Sequence, residues 1–170
     1  LVLGQRFPLL KTIEQTLSQT PSVKSVGDTA PKMTVESRSR LELLLSLQVE
    51  QIAEDGRKRF SVRYHRVKYW HDFAGQTVEY DSSNTRSGIP AAAVPMAGLV
   101  NNEFGFWLGP DNRVVELVGF DEFLKRCVKN VPIAQRQSVM NRLSGASSDE
   151  GLVNFLDDSV GLMPFDVEDK

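Results

Sequence analysis

Two histidines and a short acidic and hydroxyl cluster are the residues most suited to chemistry. His65, His71 and Asp72 are followed by the run Asp81-Ser82-Ser83. A histidine that takes a proton from serine, oriented by a carboxylate, forms a hydrolytic triad. However, His71 and Asp72 are adjacent in a predicted strand and point to opposite faces, and no Gly-x-Ser-x-Gly turn is present. We therefore predict no catalytic residues and a non-enzymatic protein, and keep a hydrolase using His65 or His71 as the last of three hypotheses.

The sequence predicts neither a metal site nor a cofactor. His65 and His71 share a face of a strand, but their spacing is long for a pair of ligands, and Cys127 is the only cysteine. The acidic residues near the C-terminus do not have the spacing of a calcium loop. The glycines between 98 and 109 do not have the spacing of a phosphate-binding loop.

Basic and aromatic residues alternate between positions 57 and 70, a composition found in proteins that bind single-stranded nucleic acid. The alternative is that the arginines pair across strands with Glu54, Glu50 and Gln48 on a solvent-facing side. The net charge of −2 also gives no general attraction to phosphates. We therefore predict no nucleic-acid partner.

A long alternating stretch is the main structural signal. Between Met33 and Val49 the odd positions are mostly apolar and the even positions mostly polar. A period of two indicates a strand with one buried face. Asp55-Gly56 then predicts a hairpin, because glycine accepts the positive φ of such a turn. A two-residue loop places Leu47 opposite Tyr64, and the two apolar faces match.

The return strand changes the parity of its apolar positions near His65. These positions are even up to Tyr64 and odd from Val67 onward. One extra residue at His65 or Arg66 restores the match between the two strands. The pattern therefore predicts a β-bulge or a sharp bend there.

The remaining elements follow from shorter patterns. Further strands are predicted at 6–18, 76–82, 102–108 and 113–118, and a short helix within 91–100. Across the turn at Ala74-Gly75, Tyr80 is expected opposite Tyr69, and Val78 opposite His71. Three helices are predicted near the C-terminus, the first capped by Asp121 and ending near Asn130, the second starting at Pro132 and ending near Gly145, the third starting at Ser147.

Strands first and helices last predict an α+β fold. We expect a strongly curved antiparallel sheet of long strands, with the C-terminal helices covering it. Residues 1–170 are expected to form a single domain. Residues 20–32 are expected to be a mobile loop, and the tail 161–170 to be disordered.

Composition limits the compartment and class of the protein. Hydrophobic residues make up 41% and charged residues 25% of the sequence, a balance typical of globular domains. No apolar run reaches the roughly 20 residues of a membrane span, so the chain is predicted not to cross a membrane. It begins with Leu1 rather than Met. We therefore expect an exported protein, periplasmic or in the cell envelope, from which a leader was removed, with a lipid anchor upstream of Leu1 compatible with this view.

Two stretches resemble a group of bacterial proteins. They are "EDGRKRFSVRYHRVKY" and "EYDSSNTRSGIPAAAVPMAGLVNNEFGFWLGPDNRVVELVGFDEFLKR". The pattern is similar to that of exported or lipoprotein families known only as domains of unknown function, over about residues 5–130. The resemblance implies export and a β-rich fold and brings no catalytic residues. A looser architectural analogy is with the curved-sheet lipoprotein carriers of the bacterial envelope.

The functional predictions concern binding. The leading hypothesis is a non-enzymatic exported domain that is structural or binds a protein partner. The alternative is a carrier of an apolar ligand, since a curved sheet beside the small-residue segment 91–100 can hold one. The candidate ligand-binding residues for this alternative are Leu43, Leu45, Tyr69, Trp70, Met96 and Phe106.

Overall fold

The structure is a computed structural model, which describes residues 1–19, 35–84 and 88–144. Within these ranges the elements are, in order, β1 (Arg6–Gln19), β2 (Val35–Ile52), β3 (Lys58–Phe73), β4 (Gln76–Asp81), a 3-10 turn (Ala91–Ala93), α1 (Val94–Ala97), β5 (Glu103–Leu108), β6 (Val114–Val118), α2 (Phe120–Cys127) and α3 (Ile133–Ser144). The predicted strands and the short helix near residue 95 are confirmed.

All six strands belong to one antiparallel sheet, in the order β1-β2-β3-β5-β6. The fourth strand pairs with β3 as well, outside this path. The long strand β3 pairs with β2 along one side. Its other side is shared end to end, by β5 at residues 58–63 and by β4 at residues 68–73.

The predicted bulge in β3 is confirmed at His65. Leu44 pairs with Arg66 and Leu45 with Tyr64, which leaves His65 as the extra residue. The side chains of Leu43, Leu45 and Leu47 point to one face of the sheet, which we call the core face, and the opposite one is the outer face. The parity change in the sequence therefore marks the point where β3 gains one residue relative to β2.

The observed register between β2 and β3 differs from the predicted one by two residues. Leu47 pairs with Val62, where Tyr64 was expected. The loop has three residues, closed by the Ala53 N–H, which donates to the Arg57 carbonyl at 2.8 Å. A second register shift leaves Glu50 unpaired. The three-residue loop and the irregularity at Glu50 each shift the register by one residue. Together they shift it by two, which returns every side chain to its predicted face.

The predicted fold class is wrong. The protein is mainly a six-stranded antiparallel sheet with small helices, and not an α+β fold in which C-terminal helices cover a strongly curved sheet. The physical reason is length. The second helix has eight residues and is about 12 Å long, whereas the 18 residues of β2 extend about 60 Å. The predicted helix from Ser147, the tail 161–170 and the loop 20–32 lie outside the described residues.

The start of α2 also differs from the prediction. The capping position is Gly119, whose φ is 69°, and it makes no side-chain cap. Asp121 lies inside the first turn, where its negative charge interacts favourably with the helix dipole. The second predicted helix, starting after Pro132, is confirmed as α3.

The hydrophobic core lies on the core face, at the end of the sheet formed by β5 and the first half of β3. Phe123 of α2 lies 5.0 Å from the ring of Phe104 and 6.0 Å from that of Tyr64. Phe60 and Phe106 stack at 5.4 Å. The core side chains of β2, β3 and β5 that are 0% exposed are Leu45, Leu47, Val49, Phe60, Val62, Tyr64, Val67 and Phe106. Burial of these groups is the main stabilising contribution.

One buried asparagine joins α2 to the sheet. The Asn102 side-chain amide donates to the Phe123 carbonyl and to Cys127 Sγ, both at 3.2 Å. Its Oδ1 accepts from Arg126 Nε at 2.6 Å. Its backbone carbonyl accepts from the Tyr64 N–H at 3.1 Å. Burial raises the pKa of the Cys127 thiol to about 12, so this cysteine is a neutral part of the core.

Candidate functional site

The residues predicted to bind an apolar ligand do not form one site. Leu43 is 2% exposed, and Leu45 and Phe106 are 0% exposed, so all three are core residues. Met96 packs against the same core and is partly buried. At these four positions the space expected for an apolar ligand is filled by side chains of the core.

Tyr69 and Trp70 lie on opposite faces of the sheet. Tyr69 pairs with Tyr80 as predicted, and His71 pairs with Val78. Burial raises the pKa of both tyrosines, and the charge of Asp81 adds to the rise for Tyr80. Trp70 points to the outer face. Because they are adjacent in a strand, their side chains point to opposite faces, although both residues line the same depression, described below.

Each histidine contacts a serine on the neighbouring strand. Ser46 Oγ lies 2.8 Å from His65 Nε2, and Ser37 Oγ lies 2.9 Å from His71 Nε2. Among the residues that the structure describes, neither ring is hydrogen-bonded to a carboxylate. A serine–histidine pair without an orienting carboxylate lacks the third member of a triad. Sequence reasoning missed both serines, which needed the strand register to be found.

The run Asp81-Ser82-Ser83 has a structural role. Arg66 donates to Asp81 Oδ1 from Nε at 3.0 Å and to Oδ2 from Nη2. The hydrogen bonds from Arg66 hold the pKa of Asp81 well below its usual range. The Val67 N–H donates to Ser82 Oγ, and the Ser82 N–H donates to the Val67 carbonyl, both at 2.9 Å. These contacts fasten β3 directly after its bulge to the end of β4.

Basic residues of β3 that form ion pairs include Arg59, Arg63, Arg66 and Lys68. Of the three predicted cross-strand pairings, that of Arg59 with Glu50 is observed, whereas Arg57 pairs with Asp55 and Arg63 with Glu103. Arg59 lies 3.2 Å from Glu50, and Lys68 lies 3.7 Å from Glu42. Other pairs of the same kind are Arg63–Glu103, Arg66–Asp81 and Arg57–Asp55. The predicted pairing of Arg59 with Glu50 is therefore confirmed, and the basic stretch is matched by carboxylates on neighbouring strands and loops.

Trp70 stands between two open depressions on the outer face. The first has a volume of about 390 Å³ and the second about 690 Å³, and the indole of the half-buried Trp70 lines both. The first is also lined by Arg40, Glu42, Lys68, Tyr69, Glu79, Tyr80, Asp81, Asn84 and Gly88, and the second by Val35, Glu36, Arg38, Asp72, Ala74 and Gly75. We call this surface the Trp70 site.

Two carboxylates flank the indole in the Trp70 site. Glu79 is directly opposite Trp70 on β4, and Asp72 follows two positions later on β3 and faces the same way. Within the described ranges, neither carboxylate forms an ion pair. Asp72 accepts one long hydrogen bond, from the Gly75 N–H at 3.4 Å. The indole therefore has two carboxylates near it that no cation of the described residues approaches within ion-pair distance, although Arg38 is directly opposite Asp72 on β2 and pairs with Glu36.

The structure adds two observations about other classes of site. In the described part of the chain, no three side chains of the metal-ligating types lie together. None of the helices there has the length and apolar character needed to cross a bilayer.

Comparison with known proteins gives a family match. The family model DUF6263, a family of unknown function, matches residues 55–167. This range begins at the Asp55-Gly56 turn and includes Trp70, Asp72 and Glu79. No curated protein and no solved structure matches the chain. The expected likeness to a family of unknown function is confirmed at this level, and its bacterial, exported or lipoprotein character stays a prediction.

Proposed function

Since the chain belongs to the DUF6263 family of unknown function, we propose a role for it from its geometry: a non-enzymatic domain that binds a protein partner through the Trp70 site. The observation that carries this proposal is the position of Trp70 between two open depressions on the outer face. Tryptophans that become buried in a partner's pocket are among the residues that contribute most to protein–protein affinity.

The neighbouring strands make the site suitable for recognition. Trp70 is paired laterally with Arg40 on β2 and Glu79 on β4. Hydrogen-bonded strands hold these three side chains at fixed spacing. An interface with an aromatic centre and a charged rim has the anatomy of a specific but reversible contact.

A photo-crosslinking experiment tests this proposal. Thr77 is exposed and pairs with Asp72, so it lies beside the Trp70 site, whereas the exposed Val115 on β6 lies elsewhere. A photoreactive amino acid is placed at either position of the full chain, in the cells that normally make it. We expect a discrete adduct from position 77 that is lost with W70A, and none from position 115. The absence of an adduct at position 77, or the same adducts at both positions, would overturn the proposal.

The non-enzymatic part of the proposal rests on the contacts that the serine, histidine and aspartate side chains make. Ser46 and Ser37 contact histidines that no described carboxylate orients, and Asp81 binds Arg66. We expect a fluorophosphonate probe, which reacts with activated serines, to leave the full chain unlabelled. Labelling that disappears with S46A or S37A would show a nucleophilic serine and overturn this part.

The apolar carrier is less well supported by the geometry. Leu43, Leu45 and Phe106 have no free volume around them because they are packed in the core. Export remains part of the proposal through the resemblance to exported families. Fractionation of cells that express the full-length natural protein tests it, and recovery from the cytoplasm alone would exclude it.

A further inference from the structure

The two tryptophans of the chain offer an internal comparison. Each is directly opposite a glutamate on the next strand, Trp70 opposite Glu79 and Trp107 opposite Glu116. Trp107 has a cation beside it, since the Arg57 guanidinium carbon lies 5.4 Å from its ring centroid. This distance is within the range of a cation–π interaction. Trp107 therefore has a cation–π partner from its own chain, Arg57.

Trp70 has no such cation among the described residues, although three basic side chains line its two depressions. Arg40 Nη2 lies 2.8 Å from Glu42 and its Nη1 3.4 Å from Glu14. Arg38 lies 2.8 Å from Glu36, and Lys68 lies 3.7 Å from Glu42. Each of these cations thus lies near a carboxylate, and Arg40 and Lys68 share Glu42.

The remaining acidic groups give the Trp70 site an excess of negative charge. Asp81 is matched by Arg66. Asp72 and Glu79 have no cation within ion-pair distance in the described part of the chain, although Arg38, which pairs with Glu36, is directly opposite Asp72 on β2. Both carboxylates lie on the same face as the indole, Glu79 directly opposite Trp70 on β4 and Asp72 two residues along β3. An aromatic ring with two unmatched carboxylates attracts a cation through the ring quadrupole and through direct charge interaction.

We propose that the Trp70 site receives an arginine or lysine side chain from a basic segment of the protein partner. This inference rests on the proposed partner-binding function and specifies its chemistry. The cation lies against the indole of Trp70 while Asp72 and Glu79 accept its N–H groups. The same charge disfavours a nucleic acid or an acidic segment, because their anions meet unmatched carboxylates.

Peptide binding to the full chain tests the inference. The probes are three peptides of equal length: a Gly-Arg repeat, a Gly-Lys repeat and a Gly-Glu repeat. The readout is the indole N–H signal of each tryptophan in the NMR spectrum of ¹⁵N-labelled protein, with W70F assigning the two signals. We expect the Gly-Arg and Gly-Lys peptides to shift the Trp70 signal saturably and to leave that of Trp107 in place. The Gly-Glu peptide should shift neither.

Matched variants identify the carboxylates involved. E79Q and D72N should each raise the Kd for the Gly-Arg peptide about threefold, as expected for an exposed charge contact, and the difference should shrink at about 0.5 M salt. E116Q is the control, because Glu116 is also opposite a tryptophan, but one that already has Arg57 beside it. It should leave the Kd unchanged. Equal effects of E79Q and E116Q, or a Trp70 signal that responds equally to the Gly-Glu peptide, would overturn the inference.

The crosslinking and peptide experiments separate the two proposals. In one outcome, the adduct at position 77 requires Trp70 and still forms at full yield in the D72N/E79Q double variant. That result would support the partner-binding function and overturn the inference that the partner supplies a basic segment. The absence of any adduct at position 77 removes both.

Discussion

Arg66 on β3 and Asp81 at the end of β4 form a two-point contact, with Nε donating to Oδ1 at 3.0 Å and Nη2 donating to Oδ2. Arg66 is the residue directly after the bulge at His65. A bulge interrupts the ladder and makes the strand bend. The contact therefore fixes the direction of β3 at the point where its backbone pairing is weakest.

We expect D81N to destabilise the protein at neutral pH and to have a smaller effect in acid. The pKa of Asp81 is lower in the folded state than its ordinary value of 3.8. Such a carboxylate stabilises the fold fully above the ordinary pKa, and the stabilisation is lost as the pH falls through the folded-state pKa. Urea unfolding at about pH 7 and about pH 2.5 measures the difference between wild type and D81N. A difference that is as large at pH 2.5 as at pH 7 would contradict the prediction.

The central role of Asn102 predicts a large effect of its removal. N102A removes the donor that the buried Phe123 carbonyl and Cys127 Sγ use, and the acceptor of the Arg126 side chain. We expect the free energy of unfolding to fall by about 2–3 kcal/mol, the range for buried polar groups left without partners. N101G is the matched control, because Asn101 is exposed and its φ of 58° suits glycine. Chemical denaturation of both variants tests this, and equal losses of stability would show that the Asn102 contacts add little.

Gly98 is required by a close approach of α1 and α2. A Cβ at this position would lie 2.0 Å from the Cys127 carbonyl oxygen, a backbone atom that cannot move freely. We expect G98A to cost about 3 kcal/mol or more, since the two segments must separate to accommodate the methyl group. G88A is the control, because a Cβ there meets nothing within 4 Å. Thermal melting should separate the two variants clearly, and a G98A protein as stable as G88A would contradict the described packing.

The bulge allows a pair of single-residue deletions to be compared. Deletion of His65 removes the extra residue, so Tyr64 and Val67 keep the core face, and we expect a loss of about 1 kcal/mol. Deletion of Arg63 also removes a residue of the outer face. It turns Tyr64, which is fully buried, to the outer face and places His65 in the core, at a cost of about 3–5 kcal/mol.

Circular dichroism melts of the two deletion variants give the result. A cooperative transition should persist without His65 and weaken or vanish without Arg63. Equal stability of the two proteins would mean that the bulge is not confined to residue 65.

The sequence predicted local features of the fold better than it predicted the register of the strands or the length of the helices. The parity of apolar positions placed the bulge at His65 or Arg66, because one buried face requires strict alternation, and the structure has it at His65. The parity did not reveal the two one-residue shifts at the turn and at Glu50, since together they restore the same parity. The helices were expected to cover the sheet because they follow the strands in the chain, but α2 ends after eight residues.

The candidate site was predictable only in part. The pairing of Tyr80 with Tyr69, expected from the second hairpin, already places Glu79 opposite Trp70. The separation of Tyr69 from Trp70 also follows from adjacency in a strand. Which carboxylates remain unmatched depends on side-chain distances such as that between Arg40 and Glu42. No pattern along the chain gives those distances.

The division of β3 between two partner strands has an evolutionary consequence. Residues 58–63 pair with β5 and belong to the packed core, whereas residues 68–73 pair with β4 and carry the Trp70 site. Substitutions on the outer face of the second half alter the surface that we propose binds a partner and leave the burial of Phe60 or Val62 untouched. The proposed binding surface can therefore change without loss of the capacity to fold, because the buried residues and the Trp70 site lie in separate halves of one strand.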